Sequence, residues 1–145
     1  MRFASYRSGR RSLVHPEPLT HCAPHQLSPF TAISRLDDFD NCPLDPTYAY
    51  SIRLQNFLQG KFLLISECPF SLKLLHDHYL HGYVHYHKAI VQKNRMYVCK
   101  RCGNREQRLF ATFDCARCLD SCVYCRKCIR MGRVSECIVL LSWAG

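Results

Sequence analysis

The first fifty residues show no regular alternation of hydrophobic and polar positions. No sustained period of two or of about 3.6 residues is present, so neither a strand nor a helix is predicted. Six of the seven prolines of the chain fall in this segment, and proline-rich sequence of this kind is typical of loops and linkers. The pattern therefore predicts a Pro-rich, largely disordered N-terminus over residues 1–50.

A periodic segment follows over residues 51–95. A short helix is expected first, and the apolar run at 62–65 has the length of a strand. Ser71 is suited to cap a second helix, which Gly82 would end. Residues 83–91 favour β structure because they are rich in Tyr, Val and Ile. The apolar face expected for the second helix consists of Leu72, Leu75, Tyr79 and Leu80.

The last segment, residues 96–145, is short and punctuated by cysteines. Strands are predicted at 108–113 and 138–143, and the Cys-x2-Cys pairs are typical of metal-binding turns. The expected fold class is small α+β. It combines a zinc-ribbon-like, four-cysteine module of short β-hairpins over 96–145 with a preceding helix and strand pre-domain over 51–95.

Composition changes this picture because cysteine inflates the hydrophobic share. Eleven of the residues counted in the 48% hydrophobic fraction are cysteines, which leaves a thin core for a chain of this size. No run of about 18 apolar residues is present to span a bilayer, and the first residues lack the apolar centre of a secretory signal. These features predict a cytoplasmic protein, in which an odd number of thiols favours metal binding over a disulfide framework.

The spacing of the cysteines predicts a tetrahedral zinc site. A Cys-x2-Cys pair in a tight turn directs two thiolates at one metal, and a second pair completes the tetrahedron. Gly103, directly after one pair, tolerates the positive φ that such a turn needs. Combining the first and last pairs gives a spacing close to that of ribbon-type zinc sites. The predicted ligands of this first site are Cys99, Cys102, Cys125 and Cys128.

Four further cysteines form a candidate second zinc site, namely Cys115, Cys118, Cys122 and Cys137. Spacing leaves the partition open, because the first four cysteines after residue 96 could equally bind one metal and the later four another. Partly buried free thiols are an alternative for the extra four, and an iron–sulfur cluster is a weaker one. The isolated Cys22, Cys42 and Cys68 are expected to be unliganded, and the five histidines between positions 76 and 87 to be ordinary side chains.

Basic residues lie between and beside the paired cysteines, and they form part of a formal net charge of +9. Turns around a metal would present these bases outward, where they suit contact with phosphates. The plainer interpretation is that they keep a thiol-rich surface soluble. The candidate DNA-binding residues are Arg101, Arg126, Lys127, Arg130 and Arg133.

Two stretches of the chain resemble a known family. CKRCGN at 99–104 and YCRKCIRMGRVSE at 124–136, within a similarity over roughly residues 53–145, resemble the N-terminal zinc-binding region of ComFA-type late competence proteins. These are DEAD-box helicases of superfamily 2 that act in DNA uptake by Gram-positive bacteria. The resemblance implies zinc at the first site, an ATP-driven motor after this module, incoming single-stranded DNA as the substrate, and a ComFC-type partner at the inner face of the membrane.

No catalytic motif of such a motor stands in this sequence. A phosphate-binding G-x4-G-K-[ST] loop is absent, since Gly60 and Lys61 are followed by Phe62 rather than by Ser or Thr. The chain is therefore expected to be truncated before the motor domain, and no enzyme activity is carried over to it. We expect a zinc-binding module that binds single-stranded DNA or supports its translocation. The alternatives are a purely structural zinc module that docks a helicase domain or a protein partner, and a non-functional fragment of a DNA translocase.

Overall fold

The computed structural model describes residues 1–22, 24, 26–116, 120–131 and 134–145. This part of the chain contains ten β-strands and two α-helices, so the molecule is a small protein of mostly β structure. The strands are β1 (Phe3–Ser8), β2 (Arg11–Pro16), β3 (Phe62–Leu64), β4 (Val84–Lys88), β5 (Ile90–Lys93), β6 (Met96–Cys99), β7 (Phe110–Cys115), β8 (Asp120–Cys125), β9 (Val134–Ser135) and β10 (Val139–Trp143). The helices are α1 (Ile52–Leu58) and α2 (Leu72–Leu80).

The described strands form four small antiparallel sheets. Their orders are β1-β2, β3-β10-β4, β5-β6 and β7-β8-β9. Strand β10 lies in the middle of its sheet, where Leu141 pairs with Leu63 of β3 on one side and with Tyr86 of β4 on the other. The last strand of the cysteine-rich segment therefore completes a sheet whose other strands come from the segment before it.

The N-terminal residues do not match the expectation of disorder. Strands β1 and β2 form a hairpin, and Phe3 and Val14 are buried. The backbone N–H of Phe3 also donates to the carbonyl of Thr31 at 2.8 Å, which fixes the chain after the hairpin. Contacts with residues that are distant in the sequence stabilise this segment. Local hydrophobic periodicity does not reveal such contacts, which is why the prediction was wrong here.

Three tyrosines of the core hold the remainder of the N-terminal segment. The Tyr79 hydroxyl donates to the carbonyl of Asp40 at 2.9 Å, and the Tyr83 hydroxyl donates to the carbonyl of Asp45 at 2.8 Å. The Asn41 side chain accepts from the backbone N–H of Tyr86 at 3.0 Å. Each hydrogen bond satisfies a polar group near the core, where water is not available as a partner.

Helix α2 begins and ends where the sequence predicts. The Ser71 Oγ accepts from the N–H of Leu74 at 3.2 Å, and Gly82 adopts a φ of +85° after the last turn. The buried face differs from the prediction in part, because His76 and His78 are buried on it while Leu80 is exposed. Neither helix, nor any other helix in the described part of the chain, is long and apolar enough to cross a membrane.

The single strand predicted over 83–91 is two strands that belong to different sheets. The break falls at Ala89, which is fully buried. The Ala89 N–H donates to the carbonyl of Ile138, and its carbonyl accepts from the N–H of Lys100. These bonds take the chain out of the β10 sheet and into the β5-β6 hairpin, and they involve residues too distant in sequence to be read from local pattern.

Strand β10 separates two clusters of buried side chains. Val139 and Leu141 pack with the aromatic core around α2, whereas Leu140 packs on the other side with Ile90 and with buried cysteines. This follows from the alternation of side chains along a strand. The cysteine cluster is therefore held against the same sheet that supports the aromatic core.

Replacing Gly82 with alanine should destabilise the fold markedly. A Cβ at this position would overlap the carbonyl oxygen of Pro43, and the positive φ is itself unfavourable for alanine. We expect a loss of about 2 kcal/mol or more in the free energy of unfolding, measured by urea denaturation. The matched control is Gly60→Ala, since Gly60 has a φ of +75° and open space around it. This control should lose only about 1 kcal/mol, and equal losses for both variants would contradict the predicted overlap.

The buried His76 should make the fold sensitive to mild acid. Burial, then the neighbouring His15, lower the pKa of His76 from 6.5 to about 4. Because His76 binds a proton more readily in the unfolded chain than in the folded one, protonation favours unfolding. The free energy of unfolding is therefore at its full value above about pH 6.5 and falls by about 3 kcal/mol as the pH approaches 4. His76→Phe should flatten the dependence of unfolding free energy on pH in this window, whereas His21→Gln, at an exposed position, should leave it unchanged. Equal slopes in both variants would show that His76 does not titrate in this way.

Candidate metal centre

Four cysteine side chains converge between the ends of two hairpins. Cys99 is the last residue of β6 and Cys102 lies in the turn after it, while Cys125 ends β8 and Cys128 lies in the 3-10 helix Arg126–Met131. Their sulfur atoms all lie within 4.8 Å of one another. This is the set that the sequence predicts for the first site, and the structure brings it together from two Cys-x2-Cys turns.

The sulfur spacing matches that of a tetrahedral site. The Sγ atoms of Cys99 and Cys128 are 3.6 Å apart, and those of Cys102 and Cys125 are 3.7 Å apart. Four sulfurs at the usual Zn–S bond length would be separated by about 3.8 Å along each edge of a tetrahedron. A disulfide would require about 2.05 Å, and none of the described cysteines forms one. The group could therefore hold a metal ion.

The turn after β6 is shaped by backbone hydrogen bonds and one glycine. Gly103 has a φ of +76°, and its N–H donates to the carbonyl of Cys99 at 2.8 Å. The Cys99 N–H in turn donates to the carbonyl of Asn104 at 3.0 Å. This geometry agrees with the expected role of Gly103, because a residue with a Cβ is strained at such a φ.

Asn104 is a site residue that the sequence analysis missed. Its side chain is buried, and its Nδ2 lies 3.5 Å from the Cys125 Sγ, a donor contact to a sulfur of the opposite Cys-x2-Cys pair. Its Oδ1 accepts from the N–H of Glu106 at 3.0 Å. Hydrogen bonds of this kind orient and tune metal-binding thiolates. The signal in the sequence was a polar residue directly after the Cys-x2-Cys-Gly turn.

Burial and hydrogen bonds act in opposite directions on the thiols of the first group. Burial raises the pKa of Cys99 to about 11 and also raises the pKa of Cys128. Burial opposes ionisation of Cys102 as well, but hydrogen bonds from the Cys128 thiol and the Asn104 backbone outweigh it and lower the pKa of Cys102. Several thiolates at this spacing would repel one another unless a positive ion compensates them.

A second group joins Cys115 of β7, Cys122 of β8 and Cys137, which precedes β10. All three are buried, and the Sγ atoms of Cys115 and Cys137 are 3.6 Å apart. Cys118, the fourth residue predicted for this site, lies outside the described residues. The structure therefore supports the partition in which the two groups interleave along the chain, since it separates Cys115 from Cys99 and Cys102.

The isolated cysteines do not join either group among the described residues. Cys68 is buried and its thiol points to the Leu64 carbonyl, and Cys42 is half-buried. The side chain of Cys22 is outside the described part. Two of the histidines form hydrogen bonds within the fold: His78 accepts at Nε2 from the N–H of Ser51, and His87 Nε2 shares a hydrogen bond with the Ser142 hydroxyl.

The predicted DNA-binding residues occupy different environments. Arg101 forms an ion pair with Glu67 at 3.0 Å and its side chain is only 13% exposed, so it is not presented to a ligand in solution. Arg126 and Lys127 are exposed and lie between Cys125 and Cys128. The side chain of Arg130 and all of Arg133 lie outside the described residues.

Comparison with known proteins identifies the family. Residues 46–142 match the competence protein ComFA N-terminal domain. Competence protein ComFA of Bacillus subtilis (strain 168) is 36% identical over 103 residues, which cover 71% of this chain and 22% of that protein. The chain thus spans about a fifth of the length of this relative, and no solved structure matches it. The chain belongs to the ComFA family of competence proteins and contains the N-terminal domain of that family.

Proposed function

We propose that this chain is a zinc-organised module of a DNA-uptake system and that it binds single-stranded DNA. The observation that carries the proposal is the convergence of four cysteine sulfurs at tetrahedral spacing within a ComFA N-terminal domain. The module would act in the cytoplasm, at the inner face of the membrane. A helicase domain and a ComFC-type protein are its proposed partners, with ATPase activity belonging to the motor domain of a longer protein.

Zinc is the ion best suited to the first group. Four thiolate donors in two Cys-x2-Cys turns form the usual structural zinc site, which leaves no open coordination position for catalysis. Soft sulfur ligands disfavour magnesium and calcium, which prefer oxygen. Zinc held by Cys99, Cys102, Cys125 and Cys128 would therefore fold the two turns into a zinc-ribbon-like unit rather than act on a substrate.

The second group would hold a second zinc ion. Cys115, Cys122 and Cys137 supply three buried sulfurs, and Cys118 is the predicted fourth ligand. Convergence of three cysteine sulfurs at one point is typical of a metal site rather than of ordinary core packing. The distance between the Cys115 and Cys137 sulfurs also agrees with the edge of a tetrahedral site. This ion would tie the β7-β8 hairpin to the chain entering β10.

The proposed DNA contact begins at the first residues of the 3-10 helix Arg126–Met131, between the zinc ligands Cys125 and Cys128. Arg126 and Lys127 are exposed there, and anchoring on both sides by Cys125 and Cys128 limits the freedom that they lose on binding. Together with Arg130 and Arg133 they would contact phosphates, which supply most of the affinity for nucleic acid. The second candidate is a purely structural module that docks the motor domain or a protein partner. It is favoured by the ion pair that removes Arg101 from the predicted contact set.

Metal analysis should find two zinc ions per chain, with one lost in each of two cysteine variants. Cys125→Ser removes a ligand of the first group and Cys122→Ser a ligand of the second, so each should retain one ion. Cys68→Ser is the matched control, because it removes a buried thiol outside both groups and should retain two. The readouts are elemental analysis and the thiolate-to-metal absorption of the cobalt-substituted protein. Full metal content in Cys125→Ser would overturn the first site, and full content in Cys122→Ser the second.

DNA binding should weaken when the exposed bases beside the zinc ligands are removed. The double variant Arg126→Ala/Lys127→Ala should bind a labelled oligothymidylate several-fold more weakly. The slope of log affinity against log salt should fall by about 1.4, because each phosphate contact to a single strand contributes about 0.7. The control Arg7→Ala/Arg10→Ala removes the same charge from the N-terminal hairpin, where both residues are exposed. A folded, zinc-loaded wild type that does not bind would leave the docking module as the function.

A further inference from the structure

A strongly basic stretch precedes the 3-10 helix Arg126–Met131 and shares only Arg101 with the residues predicted to contact DNA. Residues 88–105 contain six Lys or Arg and no Asp or Glu. This stretch includes the β5-β6 hairpin, here called the basic hairpin, which consists of Ile90–Lys93, the turn residues Asn94 and Arg95, and Met96–Cys99. This positive charge precedes the Cys125/Cys128 pair in the sequence and does not include Arg126 or Lys127.

The two faces of the basic hairpin differ in chemistry. Ile90 and its partner Cys99 are buried against the β10 sheet and the first cysteine group. On the opposite face the pairs are Val91 with Val98 and Lys93 with Met96. Side chains alternate across a strand, so these four residues share the outward face. The hairpin thus presents apolar and cationic groups together on the side away from the core.

A groove of about 280 Å³ runs along this outward face. Its apolar lining includes Val91, Val98 and Met96, and Lys93, Lys100 and Arg105 supply the positive charge. Met96 is 51% exposed, so its side chain is accessible to a ligand in the groove. No acidic residue is among the described residues that line the groove.

Within the described part of the chain, the three cations of the groove form no ion pair, although Lys93 also lines a second cavity with Asp38 and Glu136. Among the described residues, ion pairs engage Arg101 with Glu67 and Arg108 with Glu106, but none involves Lys93, Lys100 or Arg105. All three are exposed. A cation that keeps its full charge at the rim of a low-dielectric groove attracts anions more strongly than a paired one.

The adjoining cavity marks one end of this basic groove. It shares Val91 and Lys100 with the groove and also includes Lys88 and Asp38. Lys88 is already engaged, since its Nζ donates to the Leu36 carbonyl at 2.7 Å and lies 4.0 Å from the Asp38 carboxylate. Lys88 is therefore not counted among the cations that the groove offers to a ligand.

We propose that the groove on the outward face of the basic hairpin binds single-stranded nucleic acid, with Lys93, Lys100 and Arg105 on phosphates and Met96 and the two valines against base faces. This inference rests on the proposed DNA-binding function and assigns it a surface. A single strand exposes both its phosphates and its base faces, as the mixed lining requires, whereas a duplex hides the bases. A polyanion without apolar or aromatic groups, such as polyglutamate, would satisfy the cations but would leave the exposed Met96 without an apolar contact.

The test uses the full chain loaded with zinc, a labelled oligothymidylate, and a triple variant of the groove. Lys93→Ala/Lys100→Ala/Arg105→Ala should bind at least about tenfold more weakly at moderate salt, with the salt slope reduced by about 2. The control Arg7→Ala/Arg10→Ala/Arg53→Ala removes three exposed charges elsewhere and should change binding little. Circular dichroism and zinc content establish that both variants are folded.

A further variant separates base contact from charge. Met96→Ser should weaken single-strand binding several-fold without altering the salt slope, and it should not change the weaker binding of a duplex of the same sequence. Unchanged binding in the triple variant, with wild-type binding intact, overturns the groove while leaving the proposed function standing. Failure of the wild type to bind any DNA overturns both. Competition by polyglutamate as effective as by oligothymidylate would instead identify a surface for an acidic protein partner.

Discussion

The position of strand β10 between β3 and β4 is the constraint on which the rest of the structure depends. Its alternate side chains enter two different clusters, with Leu141 in the aromatic core and Leu140 among the cysteines. A single strand therefore contacts both the half that contains the helices and the half that contains the cysteine groups. The basic hairpin is part of the same arrangement, because its buried face rests on the cluster that contains Leu140.

Features encoded by neighbouring residues could be predicted from the sequence. Helix α2 has its capping serine and terminal glycine within one short segment, and each Cys-x2-Cys turn is complete within four residues. The combination of the first and last pairs was anticipated from spacing, although spacing alone left another combination open. The interleaved arrangement emerges only when Cys137 is brought beside Cys115 by the fold.

Features that depend on distant contacts were missed or misjudged. The N-terminal hairpin is stabilised by burial of Phe3 and Val14, and nothing in its local pattern reports that burial. Arg101 was expected to face solvent, but its partner Glu67 lies 34 residues earlier in the chain. The break at Ala89 likewise depends on a hydrogen bond to Ile138. In each case a contact between residues far apart in the sequence determines the local structure, and a single sequence does not show which distant residues meet.

Strand β8 supplies Cys122 to one cysteine group and Cys125 to the other. An odd separation directs the two side chains to opposite faces of the sheet, as their partners Phe113 and Phe110 on β7 also require. If β8 paired with β7 one residue out of register, every side chain would change face and both groups would lose a sulfur at once. The assembly of both cysteine groups therefore depends on the register of β8 against β7, because only this register brings Cys122 and Cys125 to their respective groups.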